Sequence, residues 1–148
     1  MNPFSSEWNG KLKRNGYRLT SSRRAVVDVI AGSQSSLSAT DIFLEARQQC
    51  PGLGLVTVYR TLEKLENLGL IQRVHQDEAC HSYIAIRGEH QHLMICEACK
   101  RTVYFNGDDL YPLIMQMGEK CGYKIQHHWL QLSGLCDKCQ TILKEKTN

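Results

Sequence analysis

In the first half of the chain, apolar residues recur at helical spacings of three and four positions. This periodicity, bounded by start signals such as Ser38 with Asp41 and a stop signal at Gly69, predicts three consecutive amphipathic helices. The predicted helices cover residues 18–33, 37–50 and 56–69.

The third predicted helix has one apolar face. Val58, Leu62 and Leu65 are spaced so that they share this face, which we expect to be buried. Several residues lie off the apolar stripe and are free to contact a partner. Among them are Thr57, Tyr59 and Arg60.

Two β-like runs follow the third helix directly, "LIQRV" (70–74) and "SYIAI" (82–86). Their composition and spacing predict a hairpin. Three helices followed by a hairpin is the order of a winged helix-turn-helix domain, in which the third helix lies in the major groove of DNA. We therefore expect residues 1–87 to form a DNA-binding domain.

The second half of the chain has a different pattern. Short strands are predicted at 92–96 and 102–105, a helix at 108–122, and a long strand at 123–136. This mixture predicts a small α/β domain over residues 88–148, so the whole chain has an α+β fold.

Cysteine spacing adds the first chemical signal. Of seven cysteines, four form two Cys-x-x-Cys pairs, "CEAC" and "CDKC", and the N-terminus lacks the apolar core of a signal peptide. A cytoplasmic location is therefore expected, and disulfide frameworks are rare there. Two such pairs can surround one tetrahedral zinc. A redox dithiol is a weaker alternative, because the usual thioredoxin-like βαβ context is missing, and an iron–sulfur cluster is a further alternative. The predicted structural zinc ligands are Cys96, Cys99, Cys136 and Cys139.

Histidines near these cysteines suggest a second metal. His90 and His92 are two positions apart on a predicted strand, so they share a face and can bind one metal together. Cys80 and His81 lie on the incoming hairpin strand, and His128 on the last predicted strand. A lone histidine is more often a surface or core residue. A His/Cys site could instead bind metal reversibly and act as a switch.

The net charge of +3 is unevenly distributed. Residues 1–88 hold eleven Lys/Arg against eight Asp/Glu, whereas residues 89–148 hold seven of each. Such a bias can reflect a solvated surface alone, but it also favours an anionic partner for the N-terminal half.

Four segments together resemble the ferric uptake regulator family: "YRLTSSRR", "LSATDIFLEAR", "GLVTVYRTLEKLENLGLIQRV" and "HQHLMICEAC…CDKC". The resemblance runs from about Tyr17 to Cys139. It implies a homodimeric, metal-sensing transcriptional repressor that binds an AT-rich inverted repeat in double-stranded operator DNA. It also implies that the C-terminal domain mediates dimerisation.

The resemblance carries over to individual residues. The family's DNA-contacting Tyr-Arg pair falls on Tyr59 and Arg60, and its basic residue before the first helix of the winged domain falls on Arg18. Arg23 is expected to hold phosphate beside Arg18. The family's two strand histidines match His90 and His92, and its histidine on the last strand matches His128.

Other family ligands are missing. The interdomain histidine falls on Ser36, the hairpin ligand falls near Ile84, and the acid of the peroxide-sensing branch falls on Tyr104. Cys80 and His81 could fill the gap, and a thiolate with imidazoles suits zinc better than iron(II) or manganese(II). The chain therefore looks most like the zinc uptake regulator branch, with a second, regulatory zinc. The iron-, manganese- and peroxide-responsive branches are the alternatives.

Other classes of protein are less consistent with the sequence. No apolar run approaches the roughly 18 residues of a membrane helix. Cys80 and His81 could imitate a nucleophile and base, but neighbours on a strand point to opposite faces. With no glycine-rich phosphate loop either, we expect no catalytic residue and no small-molecule substrate. A zinc-ribbon interaction module without a sensing role remains an alternative.

Overall fold

The computed structural model describes residues 2–77, 80–88 and 90–146, with residues 75–77 and 80 described by their backbone alone. The chain divides into two compact units, Met1–Ile86 and Arg87–Asn148. Each unit contains its own helices and its own three-stranded sheet.

The first unit packs four helices against a small sheet. Helices α1 to α4 are Pro3–Arg14, Ser21–Gly32, Ala39–Gln49 and Leu55–Asn67. Strands β1 to β3 are Leu37–Ser38, Ile71–Asp77 and Cys80–Ala85, and they pair antiparallel in the order β1-β3-β2. Helices α2 to α4 followed by the β2–β3 hairpin confirm the predicted winged helix-turn-helix topology.

Local capping explains where these helices begin. The Thr20 hydroxyl accepts a hydrogen bond from the Arg23 N–H at 3.2 Å and caps α2. Ser38 and Asp41 form the predicted capping box at the start of α3.

The face of α4 that was predicted to be buried is fully inaccessible to solvent. It consists of Val58, Leu62 and Leu65.

Helix α1 was not predicted from the sequence. Its apolar side consists of Phe4, Trp8 and Leu12 in a short basic segment, which is a weak periodic signal. Trp8 and Leu12 are nevertheless buried in the core of the first unit. Asn2 accepts a hydrogen bond from the Phe4 N–H, and its side-chain amide donates to a carbonyl of α2. Packing against the rest of the first unit therefore stabilises this helix more than its intrinsic helix propensity does.

The second unit is a mixed sheet with two helices. Strands β4 to β6 are Gln91–Cys96, Thr102–Asn106 and Gln131–Gly134, in the order β5-β4-β6. Strand β4 pairs antiparallel with β5 and parallel with β6. A 3₁₀ turn, Asp108–Leu110, leads into α5, Tyr111–Lys120, and the described chain ends with α6, Asp137–Lys146. The α+β class is confirmed.

The long strand predicted at 123–136 is wrong, because only residues 131–134 are β-structure. The preceding segment turns back over the end of α5. The Tyr123 N–H donates to the Gly118 carbonyl at 2.8 Å, and a Cβ built on Gly118 would lie 2.5 Å from Ile125 Cγ1. Residues 123–130 are therefore irregular, although the Leu130 carbonyl accepts a hydrogen bond from the Leu93 N–H of β4 at 3.1 Å. Helix α6 was not predicted either.

The second unit has a thin apolar core. Among its described residues, the buried hydrophobic side chains are Leu93, Ile95, Cys96 and Cys139. A domain with so few buried side chains needs a further source of stability, such as a metal or an oligomer interface.

We predict that Trp8→Ala will lower the free energy of unfolding by about 3–5 kcal/mol, because it leaves a large cavity in the core of the first unit. Urea denaturation followed by circular dichroism measures this change. The matched control is Glu7→Ala, a change at an exposed neighbour whose carboxylate pairs with Lys11 at 3.2 Å, and it should change stability by less than about 0.5 kcal/mol. Equal stability of the two variants would exclude α1 from the folded core.

Candidate metal centres and nucleic-acid interface

A tight turn between β4 and β5 carries the first cysteine pair. Cys96 is the last residue of β4 and Cys99 lies in the turn. The Lys100 N–H donates to the Cys96 carbonyl at 2.9 Å, and Lys100 adopts a left-handed backbone with φ 63°. That conformation is uncommon for a residue with a side chain, and here it closes the turn so that both sulfurs face one point.

The second pair comes from the start of α6. Cys136 directly precedes the helix and Cys139 lies in its first turn. The Cys136 N–H donates to the Cys96 sulfur at 3.3 Å, and the Cys99 and Cys136 sulfurs are 3.7 Å apart. All four sulfur atoms lie within 4.8 Å of one another.

This spacing fits a tetrahedral metal. Sulfur ligands at about 2.3 Å from a zinc ion lie about 3.8 Å from one another. The observed 3.7 Å between two of the sulfurs agrees with that value. The four-cysteine centre is therefore suited to a divalent metal before any rearrangement.

The pKa values of the thiols also favour a divalent metal at the four-cysteine centre. Backbone N–H groups of Cys136 and Cys99 lower the pKa of Cys96 to about 6. The pKa of Cys139 is raised to about 12, first because its protonated thiol donates to the Cys136 sulfur and then because it is buried. Thiolates packed this closely repel one another, and a divalent cation removes the repulsion.

The second group of potential ligands consists of three histidines. His92 is fully buried on β4, His90 lies just before that strand, and His128 lies in the irregular segment before β6. The ring centroid of His128 is 5.0 Å from that of His92 and 6.1 Å from that of His90. The tertiary structure therefore brings all three imidazoles together.

These imidazoles have buried nitrogen atoms without hydrogen-bond partners among the described residues. They are Nδ1 of His90, both nitrogens of His92 and Nε2 of His128. Buried polar atoms are normally satisfied, so a cluster of unsatisfied ones points to a missing ligand. A metal ion bound by the three rings would satisfy one nitrogen of each.

The surroundings of the histidines are aromatic and tightly packed. Phe105 and Trp129 contact the His92 ring, and Tyr111 contacts the rings of His90 and His128. A Cβ built on Gly107 would lie 2.1 Å from the His92 ring, so the glycine backbone forms one wall of the cluster.

This environment favours the neutral form of His92. Burial lowers the pKa of His92, and the imidazoles of His128 and His90 lower it further. Neutral imidazole is the form that binds a metal.

The ligand atoms of the histidine cluster lie further apart than the sulfur atoms of the cysteine centre. Imidazoles bound to one tetrahedral zinc at about 2.0–2.1 Å have ring centroids about 5 Å apart. The 5.0 Å between His92 and His128 agrees with this value, whereas the 6.1 Å between His90 and His128 is longer. Among the described residues, however, only the four sulfurs all lie within 4.8 Å of one another. The histidine side chains must therefore move inward to share an ion.

The other predicted regulatory ligands lie in the first unit. His81 is exposed on β3, where it pairs in register with His75 of β2. Cys80 begins the same strand, but its side chain lies outside the described part of the chain. Neither residue is described as part of the histidine cluster, and their roles remain predictions.

The structure also describes two positions where family ligands are missing. Ile84 is fully buried and offers no ligand atom. The Arg87 guanidinium lies 5.7 Å from the centroid of the Tyr104 ring. Burial raises the pKa of Tyr104, which Arg87 partly offsets. Both positions thus hold groups other than the carboxylates or imidazoles of a metal site.

Helix α4 presents the predicted DNA-contacting residues on its outer face. Tyr59 and Arg60 are exposed, with Tyr59 at 50 %, whereas Thr57 is half-buried. Arg18 is exposed in the segment before α2. Arg23 is half-buried, and its guanidinium donates to the Arg18 carbonyl, so this side chain also supports the local backbone.

The fold and its metal centre together define a two-domain winged-helix protein with a metal-binding second domain. The ferric uptake regulator family model matches residues 14–133. The chain belongs to this family and is a metal-responsive transcriptional regulator with a DNA-binding domain. Among the described helices, none is both long and apolar enough to span a bilayer.

Individual relatives agree with the family assignment. The chain is 30 % identical over 136 residues to the ferric uptake regulation protein of Legionella pneumophila, covering 90 % of this chain and 99 % of that protein. Its fold is similar to the Helicobacter pylori ferric uptake regulator, with a TM-score of 0.74 at 24 % identity over 91 % and 90 % of the two chains. A zinc uptake regulator complexed with zinc and DNA has a TM-score of 0.71 at 21 % identity, covering 95 % of each chain.

We predict that Cys136→Ser will lose the tightly bound metal and lower the melting temperature of the protein. The variant leaves three sulfurs where a tetrahedral structural site needs four, and structural metal binding contributes folding energy directly. Elemental analysis and thermal circular dichroism measure the two effects. Cys121→Ser is the matched control, because Cys121 is exposed and outside the cluster. Unchanged metal content and melting temperature in Cys136→Ser would rule out a structural metal here.

Proposed function

We propose that the protein is a zinc-responsive transcriptional repressor that binds a palindromic operator as a homodimer and controls genes for metal uptake. One zinc ion occupies the four-cysteine centre permanently. A second zinc binds reversibly at the histidine cluster and increases affinity for the operator. Reduced thiols and a DNA partner are both consistent with action in the cytoplasm.

The observation that carries the zinc assignment is the chemistry of the histidine cluster. Its potential ligand atoms are the imidazole nitrogens of His90, His92 and His128, whose buried nitrogens have no hydrogen-bond partner among the described residues. Imidazole ligands suit zinc, whereas manganese(II) favours carboxylate and water oxygens. The buried Ile84 and the Arg87–Tyr104 contact are consistent with this assignment, because they replace oxygen or imidazole ligands.

Apolar surface on the second unit supports the proposed dimer. Val103 and Leu132 flank Met94 in the sheet register, and all three side chains are exposed. Leu113 and Met117 on α5 are also more than half exposed. Apolar patches of this kind are commonly covered by a second copy of the chain.

The proposed DNA interface consists of the outer face of α4 and the segment before α2. Tyr59, Arg60 and Thr57 would contact bases or the adjacent backbone, while Arg18 and Arg23 would hold phosphates. The second metal acts by binding the DNA-competent conformation more tightly than the alternatives. Loss of that metal then releases the operator.

We expect zinc to increase the affinity of the wild-type protein for a duplex that it selects from a random-sequence library, and His90→Ala to abolish this increase. Fluorescence anisotropy with zinc(II), iron(II) and manganese(II) titrated separately measures the response. His127→Ala is the control, because His127 is exposed beside His128 and outside the cluster.

Each alternative has its own outcome in this experiment. A response to iron or manganese but not to zinc would identify another branch of the family. No response to any of the three metals would instead favour a zinc-ribbon module without a sensing role.

We predict that Arg60→Ala will weaken operator binding by about 1–3 kcal/mol if its guanidinium contacts a base edge. Binding to the selected duplex and to a scrambled duplex, each over a range of salt concentrations, separates base recognition from phosphate attraction. Asn67→Ala, an exposed change at the far end of α4, should leave affinity unchanged. Wild-type affinity in Arg60→Ala would show that α4 is not the recognition helix.

A further inference from the structure

The outer face of α4 carries an apolar patch beside its charged groups. Among the described residues of the first unit, the exposed large hydrophobic side chains are Leu44, Leu55, Val56 and Tyr59. Three of these four lie within the first five residues of α4, and Val56 is the most exposed of them, at 64 %. A single apolar side chain on a surface is ordinary, whereas a concentration of them at one end of a helix indicates a contact surface.

Val56 shares this surface with the residues proposed to contact DNA. Positions three and four apart are neighbours on a helix, so Tyr59 and Arg60 both lie beside Val56. All three side chains are exposed, while the opposite face of α4 is buried. An apolar group, an aromatic ring and a guanidinium are therefore presented together to one partner.

Positive charge borders the patch. The Lys64 ammonium lies 5.3 Å from the centroid of the Tyr17 ring, which places the segment carrying Arg18 against α4. Lys64 is one turn from Arg60 on the same helix. The first turn of α4, which lies wholly within the described chain, contains no acidic residue, and the exposed Glu63 is two turns from Val56. Such surroundings attract the phosphate backbone of a duplex to this end of the helix.

A DNA duplex offers an apolar group that matches Val56. The C5-methyl group of thymine projects into the major groove, where apolar side chains contact it in direct readout. The N-terminal residues of a recognition helix are the ones that reach base edges, and Val56 is the second residue of α4. Valine is branched at Cβ and has one strongly preferred rotamer in a helix, so the contact costs little side-chain entropy.

We propose that Val56 contacts the C5-methyl group of one thymine in each half of the operator and is a specificity-determining residue. The inference rests on the proposed role of α4 as the recognition helix. A rise of about 1.5 Å per residue separates Val56 from Arg60 by about 6 Å along the helix axis. This distance corresponds to about two base pairs at about 3.4 Å per step. The recognised thymine therefore lies about two base pairs from the base pair contacted by Arg60.

The test compares wild type, Val56→Ala and the control Leu44→Ala, each as the full-length protein loaded with the metal that gives the tightest binding. Leu44 is 56 % exposed on α3, so the control also truncates an exposed apolar side chain of the first unit. The probes are the duplex that wild type selects from a random-sequence library, the same duplex with deoxyuridine at every thymine, and duplexes with single replacements. Deoxyuridine lacks the methyl group and keeps the pairing edge. Fluorescence anisotropy measures the affinities, and circular dichroism checks that the variants are folded.

We expect full replacement by deoxyuridine to weaken binding of wild type and Leu44→Ala by about 4-fold for each half-site, the contribution of one buried methyl group. Val56→Ala should lose less than about 2-fold for each half-site on the same replacement, because its contact is already absent. Single replacements should assign the loss to one position in each half-site. Equal losses in wild type and Val56→Ala would show that the methyl group acts through the shape of the DNA, and the inference would be overturned. Wild-type binding that is insensitive to deoxyuridine would overturn it as well.

Arg60→Ala separates this inference from the proposed function. If Arg60→Ala binds weakly but wild type tolerates deoxyuridine, the thymine contact of Val56 is contradicted and the role of α4 stands. If Arg60→Ala binds as wild type does, or if wild type selects no duplex, α4 is not the recognition helix. The proposed interface and this inference then fail together.

Discussion

The four-sulfur centre is the interaction on which the second unit depends. Leu93 and Ile95 are the buried aliphatic side chains among the described residues of that unit, and they cannot form an extensive core. Cys96 and Cys136 are 40 positions apart in the sequence, yet the backbone N–H of one contacts the sulfur of the other. A metal bound at this centre would join β4 to α6 and supply stability that apolar burial does not. The first unit has a continuous core around Trp8 and Leu62 and needs no such link.

The difference between the two groups of ligands explains why one metal would be permanent and the other exchangeable. The sulfurs already have tetrahedral spacing, so binding costs little rearrangement. The imidazoles have to close around an ion against packing from Gly107 and the neighbouring aromatic rings. A site that closes only when occupied couples metal concentration to conformation, which is the physical requirement for a sensor.

Sequence reasoning succeeded where one local pattern dominated the structure. Helix α4 has a continuous apolar stripe, and its buried face was predicted residue by residue. Helix α1 was not predicted, because its three apolar residues gain their burial from the remainder of the first unit. The strand predicted over residues 123–130 was wrong, because the close contact between Gly118 and Ile125 cannot be read from composition. In both failures, long-range packing outweighed the local preference of the chain.

The sequence by itself determined the family, the order of elements in the winged helix and the paired cysteines, since these depend on local periodicity and short spacings. Only the tertiary structure decided which distant groups meet. It brought His128 beside His90 and His92 although an irregular segment carries it. The physical reason is that metal ligands are selected by distance in space, and a spacing of 36 or more positions leaves that distance undetermined until the sheet and its helices have packed.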